Sequence, residues 1–318
     1  MAKAVVLYSG GLDSTLVLEL VKEWGIKVFP LHISHLFLPS KVLPKIPKLK
    51  TVEVTNELIK IIHSPKYGFG ENLNPCVDCR ILMLKKAKEY MNKIKADFVV
   101  TGEVIDQRPF SQRIEMLITI EKKAGLEGLV VRPLSGGLLP QTIPEKNGLI
   151  KRENLLTIKG RSRRQTLALA QEKNITEFFT PGGGCLLTDH GFSRRLADLM
   201  RFQEEITEVD IALLKVGRHF RLDSETKLVV GRNEEENDQI KKLAGTGDFF
   251  LYVPETGSPN GILQGNKNFL TIAAQIIARY SDKKNEPQVE VLYRAKKKNG
   301  KISVVAIKDE ELNKYRIG

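Results

Sequence analysis

Six residues near the N-terminus, Ser9-Gly10-Gly11-Leu12-Asp13-Ser14, carry the clearest chemistry in the sequence. Two adjacent glycines let a backbone come close to an anion, and a helix starting just behind them aims the N–H groups of its first turn at the same place. Ser9 and Ser14 add hydroxyl donors. Asp13 is odd in a phosphate cradle, because its charge repels phosphate unless a divalent cation such as Mg²⁺ sits between them. The second set is the three cysteines, Cys76, Cys79 and Cys185. Cys76 and Cys79 form a CxxC at a helix start, where the dipole favours thiolate. Cys185 ends the glycine stretch Thr180-Pro181-Gly182-Gly183-Gly184. Three readings of this set compete. A structural zinc site needs a fourth ligand such as His63 or His190. A persulfide relay lets one thiolate carry sulfur and another resolve it. An iron–sulfur cluster held by three cysteines leaves one iron open.

The elements that must position these residues are legible in the pattern. Ala4–Leu7 is a short apolar run that reads as a buried strand, and Thr15–Val21 is leucine-rich and helical, with Gly25 as its stop. Strands are expected over Lys27–His35, Thr51–Val54, Ala96–Glu103 and Leu129–Leu134. Helices are expected from an Asn56 cap through Ile62, over Arg80–Ile94, and from a Ser111 cap through Lys123. His32 and His35 read as structural or lining groups. Strands alternating with helices give an α/β fold, a parallel sheet with helices on both faces. Ligands in such sheets sit outside the C-terminal strand ends, where Ser9–Ser14 and Thr101–Arg108 both fall. A boundary is expected near Phe202, with one domain over 1–204 and a smaller α+β domain over 205–318, in which a hairpin-like pair is expected around Asp223-Ser224-Glu225 and a turn between strands over Lys296–Gly300.

The chain has 318 residues, with 50 Lys+Arg against 38 Asp+Glu, a net charge of +12. That excess suggests a polyanionic partner such as nucleic acid, with the clusters Lys151–Arg164 and Arg194–Arg201 as candidate contacts. No apolar run reaches membrane-spanning length, and no leader is expected ahead of the first strand, so a cytoplasmic location is expected. Three cysteines are too few for a secreted disulfide framework.

The Ser9–Ser14 string resembles the SGGxDS loop of the PP-loop ATP pyrophosphatases, and it is not the GxxxxGK[ST] loop, since no lysine follows the glycines. The resemblance implies an adenine-nucleotide α-hydrolase-like domain that cleaves ATP to AMP and pyrophosphate while adenylating an oxygen on a second substrate. Asn74-Pro75-Cys76-Val77-Asp78-Cys79 is similar to the NPCxxC segment of tRNA 2-thiouridylases. Thr101-Gly102-Glu103-Val104-Ile105-Asp106-Gln107, followed by Ser111-Gln112, resembles the TGExxxQxxSQ stretch of tRNA 4-thiouridine synthetases, and Leu129–Leu134 resembles their strand ending in RPL. The likeness covers residues 1 to about 200 and implies sulfur transfer to a nucleobase, uridine in tRNA. It places ATP on Ser9, Gly10, Gly11, Asp13, Ser14, Thr101, Gly102 and Gln107, with Asp13 and the three cysteines catalytic. No THUMP-type domain is expected before the first strand and no rhodanese-like domain after the sheet, which counts against persulfide delivery. Relatives with a CxxC and a third cysteine are the cluster-dependent thiolases, so the resemblance points to a 4Fe–4S cluster on Cys76, Cys79 and Cys185, with zinc or no metal as alternatives and a sulfide or persulfide donor as partner. The rival readings are a PP-loop ligase or amidotransferase on a small substrate, and a non-enzymatic RNA-binding module. In the C-terminal part, the run from Arg218-His219-Phe220-Arg221 to Val230-Gly231-Arg232-Asn233 is similar to the small C-terminal module of the NFACT proteins.

Overall fold

A computed structural model of the chain describes residues 1–39, 43–179, 184–295 and 298–317. The chain divides into two compact units, Met1–Thr188 and Asp189–Gly318.

The first unit is built on five parallel strands, β1 (Lys3–Leu7), β2 (Lys27–Ser34), β3 (Lys50–Glu53), β4 (Phe98–Val100) and β5 (Val130–Val131), in the order β3-β2-β1-β4-β5. The strands alternate their side chains between two faces. Ala4 and Val6 of β1 and Phe98 and Val100 of β4 pack on one side with α1 (Leu12–Glu23). Val5, Val99 and Val130 face the other side, against α3 (Cys76–Ile94) and α4 (Ile114–Ala124). Both faces are therefore covered, as parallel strands that read as continuous apolar runs require. The strand order reverses at β1, between β2 and β4, and a crevice opens there at the C-terminal ends of the strands.

Local details depart from the sequence reading. The helix expected from Asn56 is α2 (Thr55–His63), so Asn56 lies inside it and Val54 takes the cap position. Ser111 does not cap α4: that helix starts at Ile114 behind Arg113, and the buried Ser111 Oγ has no hydrogen-bond partner. Chain direction at these ends is set by burial of Leu58 and Leu117, fully enclosed in the core, rather than by the cap side chains. The strand expected over Leu129–Leu134 is only Val130–Val131, because Pro133 cannot donate to a ladder. Two further helices complete this unit, α5 (Ile143–Lys146) with a Thr142/Glu145 capping box, and α6 (Arg164–Glu172), which packs on α1.

The second unit carries an antiparallel sheet of seven strands in the order β11-β10-β8-β9-β7-β6-β12. These are β6 (Arg218–Arg221), β7 (Lys227–Val230), β8 (Phe249–Tyr252), β9 (Gly261–Gln264), β10 (Val289–Ala295), β11 (Lys298–Val304) and β12 (Arg316–Ile317). The β6–β7 hairpin falls around Asp223-Ser224-Glu225 as expected. The turn expected over Lys296–Gly300 includes residues 296 and 297, which lie outside the described residues, and β11 begins at Lys298. Four main helices accompany this sheet: α7 (His190–Phe202), α8 (Glu208–Leu214), α9 (Glu234–Leu243) and α10 (Leu270–Arg279). Ala273, Ala274 and Ile277 of α10 pack against Phe220, Leu228 and Leu263 on one face, while Leu213 of α8 and Ile240 of α9 pack against Val229 and Ile262 on the other. Among the described residues, no helix is long and apolar enough to cross a membrane.

Candidate active site

The crevice at the strand ends of the first unit is a pocket of about 330 Å³. Its floor is the loop between β1 and α1. Gly10 turns the chain at φ 74°, a left-handed conformation that favours glycine. A Cβ there would meet the Phe179 ring at 2.6 Å, so Gly10 serves the turn and its packing. Gly11 has the opposite character. Its φ of −82° suits any residue, a Cβ would meet only Ser9 Oγ at 3.5 Å, and it lines the pocket. Ser14 Oγ donates to the Gly11 carbonyl at 2.8 Å and accepts from the Ser9 N–H at 3.2 Å. These bonds lock the loop while the first turn of α1 points at the cavity.

The end of β4 closes against this loop. At Gly102 a Cβ would stand 2.8 Å from the Asp13 carbonyl carbon and 3.0 Å from the Ser14 nitrogen, so only glycine permits that approach. Gln107 Nε2 donates to Asp13 Oδ2 at 3.2 Å. Asp13 Oδ1 is buried without a partner. Burial raises the Asp13 pKa, opposed by Gln107, Arg163 and Arg108.

Behind β4 runs a buried ion network. Glu103, 3% exposed, accepts from Arg80 Nη1 at 2.7 Å, from Arg132 Nε at 2.9 Å and from Thr101 Oγ1 at 3.0 Å. Arg132 also pairs with Glu121 of α4. Burial works against ionisation of Glu103, yet Arg80 and Arg132 together hold its carboxyl below the ordinary range. The network joins α3, β4, β5 and α4 and fixes Arg80 one residue beyond Cys79.

All three cysteines are free, half-buried and line this same pocket. Two ties hold the Cys185 segment in place, one of them to the loop ahead of the CxxC. Asn72 Nδ2, in the loop ahead of Cys76, donates to the Thr188 carbonyl at 2.7 Å, and Leu186 N–H and Cys185 Sγ both reach the Phe37 carbonyl, at 2.8 and 3.5 Å. Burial pushes Cys79 up to about 12, with Cys185 the next contributor, and Cys185 up to about 11, with Cys76 among the groups that raise it. Cys76 is raised by burial too, against the pull of Arg80 and Arg108. Thiolate at the helix start, expected from the dipole, therefore gives way to desolvation, which moves a buried group by several units where a helix terminus supplies about 0.3–1 kcal/mol.

The pocket thus gathers Ser9, Gly11, Asp13, Ser14, Thr101, Gly102, Gln107 and the three cysteines, and Gly10 lies immediately beneath it. Residues 180–183 of the glycine stretch before Cys185 lie outside the described residues. His32 and His35 line the wall, and His32 Nδ1 sits 3.0 Å from the Tyr8 carbonyl. His63 is exposed and not among the lining residues. Among the described residues, no group of three His, Cys, Asp or Glu side chains is arranged around a single metal ion. Sequence reasoning missed Arg80, Glu103 and Arg108 as site residues; the signal for the first two was a glutamate and two arginines placed at adjoining element ends. Arg152, in the basic cluster expected to contact nucleic acid, also binds Glu145 at 2.8 Å and the Gly137 and Leu139 carbonyls.

A strand, a glycine turn and a helix thus sit at the reversal point of a parallel sheet in an α/β unit, and an antiparallel α+β unit follows it in the chain. Residues 1–138 match the family model of the thiamine biosynthesis protein (ThiI), and residues 217–316 match that of the NFACT protein RNA binding domain. A probable tRNA sulfurtransferase of Thermococcus kodakarensis is 28% identical over 147 residues, 42% of this chain and 37% of that protein, so the match spans little more than a third of that relative's length. Among solved structures, a 4-thiouridine synthetase in complex with RNA and bound ATP is similar with a TM-score of 0.33 and 19% identity, over 55% of this chain and 52% of that one. The U34-tRNA thiolase NcsA from Methanococcus maripaludis, solved with its 4Fe–4S cluster, has a TM-score of 0.30 and 14% identity, over 67% and 69%. The two family models bear out the resemblance of the N-terminal part to ThiI and of the C-terminal part to the NFACT module.

Proposed function

We propose that this protein is an ATP-dependent tRNA sulfurtransferase that adenylates a uridine carbonyl oxygen and replaces it with sulfur. One observation carries the reading: the Ser9–Ser14 loop and all three cysteines line a single pocket. A carbonyl oxygen is a poor leaving group, and adenylation makes it a good one. The Ser9–Ser14 loop, with Thr101 beside it, receives the pyrophosphate, and the buried unpartnered Asp13 Oδ1 suits Mg²⁺ bridging to phosphate oxygens. Gln107 holds the other carboxylate oxygen and so orients Asp13. Residues 1–204 form the thiolation domain, in the cytoplasm, and 205–318 the accessory domain that engages RNA, as the match to an RNA binding domain supports.

The cysteines fit a 4Fe–4S group. They influence one another electrostatically across one pocket, Arg80 and Arg108 stand beside them to offset negative charge, and a cluster takes thiols set further apart than one ion does. When bound, such a cluster supplies an iron without a protein ligand that can hold sulfide. Cys76, Cys79 and Cys185 would bind it as thiolates, each losing the proton that burial otherwise retains. The second reading is a persulfide relay without metal, which the same three thiols around one pocket support. Anaerobic purification with iron, zinc and sulfide analysis tests the proposal: about four irons per chain are expected, and loss of that iron in each Cys→Ala variant with ATP binding retained. A metal-free protein that traps a Cys76–Cys185 or Cys79–Cys185 disulfide during turnover would replace it with the relay. Turnover on a small acid with no dependence on tRNA or on the cysteines would make the protein a ligase or amidotransferase instead.

A further inference from the structure

The pocket holds more positive charge than its acidic groups meet. Three arginines line it: Arg80, Arg108 and Arg163. Arg80 is neutralised by Glu103 at 2.7 Å. Arg108 and Arg163 make no ion pair with any described residue. Arg108 also occupies a distinctive place. It influences Asp13 of the glycine loop on one side and Cys76 and Cys185 on the other. It follows Gln107, which is itself bonded to Asp13, so its backbone is held to the cradle. Arg108 is an exposed residue that lines the pocket, and the like charges of Arg80 and Arg163 repel it there. Like charges gathered on one pocket wall, with no carboxylate of the described residues at ion-pair distance from Arg108 or Arg163, favour an arriving anion.

We propose that Arg108 binds the α-phosphate of the nucleotide, the one phosphate that stays on the substrate between the two chemical steps. The inference rests on the adenylation reading and locates this phosphate midway between the cradle and the cysteines. In the first step the uridine carbonyl oxygen forms a bond to the α-phosphorus. The bond to the bridging oxygen breaks, and its electron pair leaves with pyrophosphate into the Ser9–Ser14 loop. In the second step hydrosulfide forms the C–S bond, its proton passes to solvent, and the C–O bond breaks with its electron pair leaving on AMP. Negative charge gathers on the α-phosphate oxygens in both steps, and Arg108 offers a planar donor fork that remains charged throughout. A side chain whose charge is felt at both centres joins the two half-reactions, which neither the glycine loop nor the cysteines do alone.

The test compares Arg108→Ala and Arg108→Lys with the wild-type full chain, titrating ATP, AMP, pyrophosphate and adenosine with Mg²⁺ by calorimetry. Removal of a charge-assisted hydrogen bond is expected to weaken ATP and AMP by about tenfold to a hundredfold. Pyrophosphate and adenosine affinities should stay within about twofold, and Arg108→Lys should recover part of the loss as a point charge. Equal ATP and AMP affinities in wild type and Arg108→Ala overturn this inference and leave the adenylation reading standing. Weakened pyrophosphate with unchanged AMP also overturns it, by placing Arg108 on the leaving group. Wild-type protein that binds no adenine nucleotide overturns both.

Discussion

Replacing Glu103 with glutamine removes one negative charge from the buried network without changing its shape. Glu103 and Arg132 are each 3% exposed, so neither can turn to water. Breaking a buried pair by deleting one partner costs about 3–5 kcal/mol, because the other charge stays behind uncompensated. The lower end applies here. Arg132 keeps Glu121, and Arg80, with its side chain 25% exposed, regains some hydration. About 3 kcal/mol in a domain of this size lowers its Tm by roughly 6–12 °C. The pH dependence gives the sharper check. The folded Glu103 carboxyl lies below its unfolded value of about 4.3, so its stabilisation is fully present above that pH and fades as pH falls through the folded value. Glu121 runs the other way: burial raises it and Glu103 adds to the rise, so losing the Glu103 charge eases Glu121 and offsets a small part of the gap at neutral pH. Urea unfolding of wild type and Glu103→Gln should give a constant gap from pH 7 to about 5 that closes toward pH 3. A gap under about 1 kcal/mol at pH 7, or one that persists undiminished at pH 3, would refute the assignment of Glu103 as the charge holding this network together.

Two further outcomes separate cradle from scaffold. Gly11→Val should abolish nucleotide binding while unfolding within about 1 kcal/mol of the parent, since only the cavity receives its side chain; intact ATP affinity in the folded variant would remove the loop from the site. Gly10→Ala should instead lose about 1–2 kcal/mol of stability through its left-handed φ, with further loss from the Phe179 contact. For the metal-free reduced protein, alkylation of Cys79 and Cys185 by iodoacetamide should rise about tenfold per pH unit from 7 to 9, because thiolate is the reactive form and their pKa values lie near 12 and 11. A plateau below pH 8 would show that helix and arginine charge outweigh burial after all.

The parts of this molecule that were legible in the sequence are those whose causes are local. The β1–loop–α1 unit follows from an apolar run, two glycines and a leucine-rich helix, and the parallel sheet follows from repeating that alternation. The roles of the two glycines were not legible, because the difference between them is what stands opposite: the Phe179 ring over Gly10 and open cavity over Gly11. Convergence of Cys185 on the CxxC depends on a bond from Asn72 to Thr188, 116 residues apart, and no local pattern encodes such a contact. Protonated thiols were missed for a related reason. A CxxC at a helix start is visible in the sequence, but the burial that overrides the dipole belongs to the assembled pocket.

The ion network explains why a site made of loops can hold its geometry. The glycine loop, the Thr101–Gln107 segment and the loop ahead of Cys76 are all connections, which in isolation are the mobile parts of a fold. Each is pinned to a rigid element: the first by Ser14 to the start of α1, the second by Glu103 to Arg132 beyond β5, the third by α3, whose Arg80 returns to Glu103. Glu103 therefore ties the glycine-loop side of the pocket to the cysteine side through one carboxylate. Loss of that carboxylate should disturb the spacing between the two reacting centres as well as the stability, and an error of about 1 Å there can cost two orders of magnitude in rate. Stability and sulfur transfer are accordingly expected to fall together in Glu103→Gln, whereas Arg108→Ala should lose phosphate affinity with the fold unchanged.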